Sequence, residues 1–188
     1  MPTDATFGAQ MDILGMSLEA PGPDLVVTLT MAELTDVWGP TNGFDHVMFH
    51  VFIDLPNQAG SSVLPRLRAA APADFHWDYM AFIEGWTSLI FSAAGASETE
   101  YGTPVSPAPL ISVDKENRTI TITFPGAALG NPVGYEGVRV YITTWDWDGP
   151  AGAYRGLDAE ASQWGFGGGD DGAALIADSA GPLVLIGE

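Results

Sequence analysis

Three sets of residues have the types and spacings that chemistry needs. His46 and His50 stand four apart. On a helix that spacing would put two imidazoles on one face, within reach of one metal ion. Here the run from His46 to Ile53 is β-branched and aromatic, with no Gly or Pro, and reads as a strand. Four residues of strand separate two Cα atoms by roughly 13 Å, too far for a shared ion. Both histidines are therefore expected to support the core or a loop. Asp146 and Asp148 stand at i, i+2 ahead of Gly149, with Asp170 and Asp171 before Gly172 further on. Carboxylates on turns supply the hard oxygen donors that Ca²⁺ prefers, so a structural Ca²⁺ held by Asp146 and Asp148 is one expectation. The same pair would serve a glycoside hydrolase in its own right. No Gly-x-Ser-x-Gly elbow occurs in the chain.

Six tryptophans form the third set. Trp77 and Trp86 fall in or between predicted strands and are expected in the core. Trp38 and Trp164 sit in turn-rich surroundings, Val37-Trp-Gly-Pro40 and Gln163-Trp-Gly-Phe166. An exposed indole offers a flat apolar face to the C–H face of a sugar ring, while nearby amides, carboxylates and guanidinium groups take the hydroxyls. Asn42, Asp45, Asp146, Arg155 and Gln163 are the polar groups at hand.

The elements that must position these residues are strands. In the run 46–53, Val47, Phe49, Val51 and Ile53 alternate with His46, Met48, His50 and Phe52. Both faces are then largely apolar, as in a central strand covered on both sides. Gln10 to Leu18 and Leu25 to Met31 form an expected hairpin around Glu19-Ala-Pro-Gly-Pro-Asp24. Residues 55–73 form a long irregular connection, and Phe75–Ile83 and Thr87–Phe91 are two further strands. Leu110–Val113 and Arg118–Phe124 bracket Asp114-Lys-Glu-Asn117, a strong hairpin signal. Pro125 to Gly130 is a short helical turn, Gly137–Trp145 a long strand, and Leu183–Ile186 the last one. Eight to ten short strands with almost no helix signal predict an all-β chain, an antiparallel β-sandwich of jelly-roll or immunoglobulin-like kind.

Composition narrows the function. The 188 residues suit one domain with a full two-layer core, spanning 1–188. Twenty-four acidic residues against six basic ones leave a formal charge of −18, which repels phosphate backbones and anionic membranes and argues against nucleic-acid binding. With no cysteine, the chain has neither disulfides, thiolate metal sites nor a cysteine nucleophile. No apolar run approaches the ~18 residues a membrane helix needs. The start of the chain lacks a signal-peptide pattern and reads as a domain cut from a longer secreted protein.

Four stretches then carry a resemblance: Gly43-Phe-Asp-His-Val-Met-Phe-His-Val-Phe-Ile-Asp54, Thr143-Thr-Trp-Asp-Trp-Asp-Gly149, Tyr154-Arg-Gly156 and Trp164-Gly-Phe-Gly-Gly-Gly169. Over nearly its whole length the chain resembles the C-terminal domain of bacterial glucodextranases and pullulanase-type amylases. That resemblance implies a DOMON-like β-sandwich, similar to family-9 carbohydrate-binding modules, appended to secreted or surface enzymes that act on α-glucans. It also implies a sugar clamped between two tryptophans, for which Trp38 and Trp164 are the matching positions. The expected function is a non-catalytic module that binds oligo- or polysaccharide, α-glucan first, and targets a catalytic domain in the same parent chain. A surface-attachment domain without a sugar site is the alternative, and a hydrolase using Asp146 and Asp148 a second. DOMON relatives can also bind haem, for which His46 or His50 would serve singly.

Overall fold

The computed structural model describes residues 8–148, 153–162, 165–170 and 172–186, without the side chains of Asp148 and Ala153. Strands follow one another along the chain with little helix between them. They are β1 (Ile13–Glu19), β2 (Leu25–Met31), β3 (Met48–Asp54), β4 (Val63–Leu64), β5 (Ala69–Ala70), β6 (Tyr79–Ile83), β7 (Ser88–Ser92), β8 (Thr103–Val105), β9 (Leu110–Asp114) and β10 (Thr119–Phe124). After a 3₁₀ turn at Gly126–Leu129 come β11 (Arg139–Trp145), β12 (Trp147–Asp148), β13 (Ala153–Tyr154), β14 (Gly156–Leu157), β15 (Gly165–Phe166) and β16 (Asp178–Val184). Ten of them build two antiparallel sheets, ordered β1-β2-β10-β9 and β16-β11-β3-β6-β7-β8. The sheets pack as a sandwich, and the all-β expectation holds.

The four-stranded sheet follows period-two logic. Leu25, Val27, Leu29 and Met31 of β2 are fully buried, as are Ile120, Ile122 and Phe124 of β10. The intervening residues are only partly buried, among them Thr28 and Thr121, opposite each other with their hydroxyls 3.4 Å apart. One face makes the core and the other meets water, the usual division of an antiparallel sheet.

The six-stranded sheet has no such wet face at its centre. All seven residues of β3 are buried. Phe49, Val51 and Ile53 share a face with Val140 and Ile142 of β11 and with Ala81 and Ile83 of β6. Met48, His50 and Phe52 share the opposite face with Trp145, Tyr141, Phe82 and Met80. Long connections roof this second face. Leu64, Leu67, Phe75 and Trp77 arrive from the segment after β3, Tyr101 from the loop before β8, and Trp147 and Tyr154 from β12 and β13. Phe52 lies 5.6 Å from Trp77, and Phe82 lies 5.3 Å from Trp147 and 5.7 Å from Tyr101. Aromatic rings at these separations gain edge-to-face attraction beyond their burial. The both-sides-apolar pattern of β3 is thus explained by loops, not by a third sheet.

Candidate functional site

Antiparallel pairing brings several chain segments to one end of the six-stranded sheet. Met48 faces Trp145, Phe49 faces Ile83, and Ile83 faces Ser88. The approach to β3, the exit from β11 and the β6–β7 turn therefore emerge side by side.

The approach loop is organised by Asp45, only 1 % exposed. Its carboxylate accepts the Thr35 hydroxyl and, at 2.9 Å, the backbone N–H of Trp38, and its own N–H donates to the Thr35 carbonyl at 2.8 Å. A buried carboxylate saturated in this way holds its donors firmly, because leaving any of them would strand a charge in the core. His46 follows with φ of 61°, in the left-handed region that few non-glycine residues adopt. The chain turns there, so β3 begins at Met48, not at His46 as the residue pattern predicts. The two histidines consequently occupy different environments instead of one strand face. His46 Nε2 lies 2.9 Å from the indole nitrogen of Trp38 and accepts its N–H, with the rings edge to face at 6.2 Å. Accepting at Nε2 puts the imidazole proton on Nδ1, an assignment from the hydrogen bond. Trp38, held at backbone and ring, is nonetheless 67 % exposed.

Asn42 fastens this loop to the β6–β7 turn. Its side-chain amide donates to the carbonyls of Glu84 at 2.6 Å and Thr87 at 3.3 Å, and its backbone N–H donates to Gly85 O at 2.7 Å. Gly85 is where the two segments touch: a Cβ there would overlap the Phe44 carbonyl and the Pro40 ring. The turn is closed by Glu84 N–H to Thr87 O at 2.9 Å, and the buried Glu84 carboxylate accepts the Trp86 N–H at 2.9 Å. Trp86 itself is 48 % exposed, which corrects the expectation that it lies in the core. The Trp38 loop covers Glu84 and Gly85 of this four-residue turn and leaves Trp86 half exposed.

Beyond β11, Asp146 is buried and its carboxylate is ion-paired with the Arg155 Nε. Arg155 N–H donates to Asp146 O at 3.0 Å, Arg155 O accepts the Trp145 indole N–H at 2.9 Å, and its guanidinium lies over Phe166 at 5.2 Å. Phe166 in turn packs edge-on against Trp145 at 5.5 Å. This pair anchors the segment carrying β14 and β15 at the same end of the sheet as Trp38. Gln163 and Trp164 lie outside the described residues, as does the side chain of Asp148. Among the sequence-predicted residues, Trp38, Asn42 and Asp45 come together in one loop, while Asp146 and Arg155 form a separate pair beside it. One Asp146 oxygen is committed to the Arg155 guanidinium. Among the described residues no cluster of three or more His, Asp or Glu is placed to hold a metal ion.

His50 lies under the aromatic roof, fully buried, stacked on Tyr154 with ring centroids 5.6 Å apart. Its Nε2 is 2.8 Å from the Tyr154 hydroxyl, which is 2.6 Å from that of Tyr101. Burial holds its pKa down at about 3 and raises those of both tyrosines, so all three are neutral at ordinary pH. With its Nε2 engaged by the Tyr154 hydroxyl and its Nδ1 buried, His50 presents no accessible ring nitrogen to a haem iron.

At the opposite end of the sheet lies an open cavity of about 320 Å³, bordered by Gln58, Ser61, Asp78, Tyr79 and Ser92. Asp78 is the charged group there. Burial raises its pKa to about 6, against a hydrogen bond from Leu55 N–H at 2.7 Å; the neighbouring Asp54 raises it further and His76 lowers it.

Compared with known families, residues 1–185 match the model described as the C-terminal binding-module, SLH-like, of glucodextranase. The chain belongs to that family. No curated protein matches it. Membership of the glucodextranase C-terminal family makes this a non-catalytic accessory kind of domain, a binding module. No helix among the described residues is long and apolar enough to cross a membrane. Within this family member, the residues that composition missed are Trp86, Glu84 and Gly85. The only signal for them was Glu84-Gly-Trp86 itself, a glycine beside an aromatic residue between two strands.

Proposed function

We propose that the domain, taken as one unit over residues 1–188, is a carbohydrate-binding module whose Trp38 end stacks on the rings of a polysaccharide, an α-glucan by preference. It would hold a glucan-active catalytic domain of the same parent chain near its substrate, outside the cell or at its surface. The observation that carries this reading is Trp38: two-thirds exposed, yet fixed by Asp45 at its backbone and by His46 at its ring nitrogen. An indole already immobilised before binding loses little entropy when a sugar stacks on it. Trp164 is the proposed second ring, with Gln163 and Arg155 as hydroxyl partners. Asn42 and Asp45 contribute by holding the loop. Affinity should be modest, since one or two stacked rings leave only a few kcal/mol after the cost of association.

The test is a tryptophan-fluorescence titration against α-glucan, β-glucan and xylan oligosaccharides, with Trp38→Ala and Trp164→Ala alongside. A saturable response lost in either variant is expected. A second reading, a protein-docking attachment domain, draws on Val37, Leu89 and Leu110, which are exposed apolar side chains on this domain. A flat response to every glycan in a protein shown to be folded would transfer the assignment to that reading.

A further inference from the structure

The carbohydrate reading places one described aromatic ring, Trp38, at the binding end, but among the described residues that end carries two exposed indoles. Trp86 stands on the β6–β7 turn, which the antiparallel register brings beside the Trp38 loop. The two supports are joined by three hydrogen bonds from Asn42 and by the contact of Gly85 with Phe44 and Pro40. They therefore move as one body. Trp86 has its backbone N–H taken by Glu84 and, among the described residues, no aromatic ring against its own; among the same residues the His46 ring is the one aromatic neighbour of Trp38. Two exposed indoles on loops fastened to each other offer two stacking surfaces whose supports are held together.

Charge narrows the occupant. The chain carries −18 overall. The cations towards this end are engaged within the fold: Lys115 pairs with Asp36, two residues before Trp38, Arg155 pairs with Asp146, and Arg118, in the Lys115 turn, donates to the Ala32 carbonyl. An acidic polysaccharide would meet repulsion without a compensating partner, whereas a neutral one needs only stacking and hydrogen bonds to carbonyls and amides. We infer that Trp38 and Trp86 form a rigid two-ring platform that takes a neutral glycan chain of several sugar units lying across both loops. This rests on the carbohydrate reading, and it adds Trp86 as a residue that sets specificity for chain length and for absence of charge.

The experiment is calorimetry of the whole chain with maltose, maltotriose and maltohexaose, with cello- and laminari-hexaose, and with a uronate hexamer. Trp86→Ala and Trp38→Ala are run in parallel. Since Trp86 is half exposed and packs on no ring among the described residues, its removal should leave the fold intact, which circular dichroism and Tm would verify. Wild type is expected to bind one of the neutral hexasaccharides about tenfold more tightly than the matching disaccharide. Trp86→Ala should erase that gain while keeping disaccharide affinity within roughly twofold, and the uronate should not bind. If Trp86→Ala binds the hexasaccharide like wild type while Trp38→Ala loses it, the platform is wrong and the carbohydrate reading survives. Uronate binding as tight as that of the neutral chains overturns the charge argument. No binding of any neutral glycan by folded wild type removes the carbohydrate reading and the platform together.

Discussion

Replacing Asp78 with Asn should make the protein more stable at neutral pH. Asp78 is only 7 % exposed, and burial lifts its pKa from 3.8 to about 6. A raised acid pKa means that the folded state holds the proton more tightly than the unfolded chain does. Below pH 3.8 both states are protonated and the shift has no effect. Between 3.8 and 6 the unfolded chain loses the proton first, so stability falls as pH rises, and above 6 the full cost is present. The shift of about two units corresponds to an upper bound of ~3 kcal/mol. Because Asp78 borders an open cavity where water screens part of its charge, about 1–2 kcal/mol is the working figure. Asparagine keeps an oxygen that can accept the Leu55 N–H and removes the repulsion from Asp54, which is itself paired with Arg139. Denaturant unfolding of wild type and Asp78→Asn should be followed from pH 5 to 8, above the sequence pI of about 4.1 so that the protein stays soluble. The advantage of Asp78→Asn should grow across that range by up to about 1 kcal/mol, equivalent to roughly 2–4 °C in Tm for a domain of this size. An advantage that stays flat or shrinks towards pH 8 would show that the hydrogen bond from Leu55 outweighs burial, and the reasoning would fail. Glycan affinity should be the same in both proteins, since Asp78 lies at the far end of the sheet from Trp38.

Arg155→Leu should destabilise by about 3–5 kcal/mol, because it leaves the buried Asp146 carboxylate without its cation; the double variant Arg155→Leu/Asp146→Leu, measured by the same unfolding assay, should recover much of that loss. Gly85→Ala should cost about 1–3 kcal/mol by driving a methyl into the Phe44 carbonyl and Pro40, and should weaken any glycan response through both Trp38 and Trp86; unchanged calorimetric affinity would mean that the loops are not coupled. His46→Ala removes the acceptor for the Trp38 indole, so it should lower glycan affinity several-fold with a Tm within about 2 °C of wild type, a net hydrogen bond at an exposed site being worth about 1 kcal/mol. Adding Ca²⁺ to chelator-treated protein should leave Tm unchanged, because Asp146 is already held by Arg155; a rise of several degrees that needs Asp148 would place the ion there instead.

Strand identity was decided by the sequence alone wherever one face is buried and the other wet. β2 and β10 alternate so regularly that hydrophobic burial leaves one register, and the Asp114–Asn117 turn joins β9 to β10 as composition requires. The doubly apolar run of β3 likewise marked it as central, and Gly39 and Pro40 marked Trp38 as a loop residue. What only the tertiary structure decided are the partners of polar side chains. Asp45 and Asn42 look like hydroxyl ligands in a list of residues, yet one turns inward to hold Thr35 and Trp38 and the other reaches across to Glu84 and Thr87. Asp146 gives no sign in the sequence of its ion pair with Arg155, nine residues on. His46 reads as a strand residue until the closure of its loop demands a left-handed turn, and Trp86 reads as core until the Trp38 loop is seen to cover Glu84 and Gly85 but not its indole. The physical reason is common to all of them. Apolar burial acts along the chain with the period of the strand, so neighbouring residues report it. A hydrogen bond or ion pair is directional and short-ranged, and its partner is chosen only when distant segments meet.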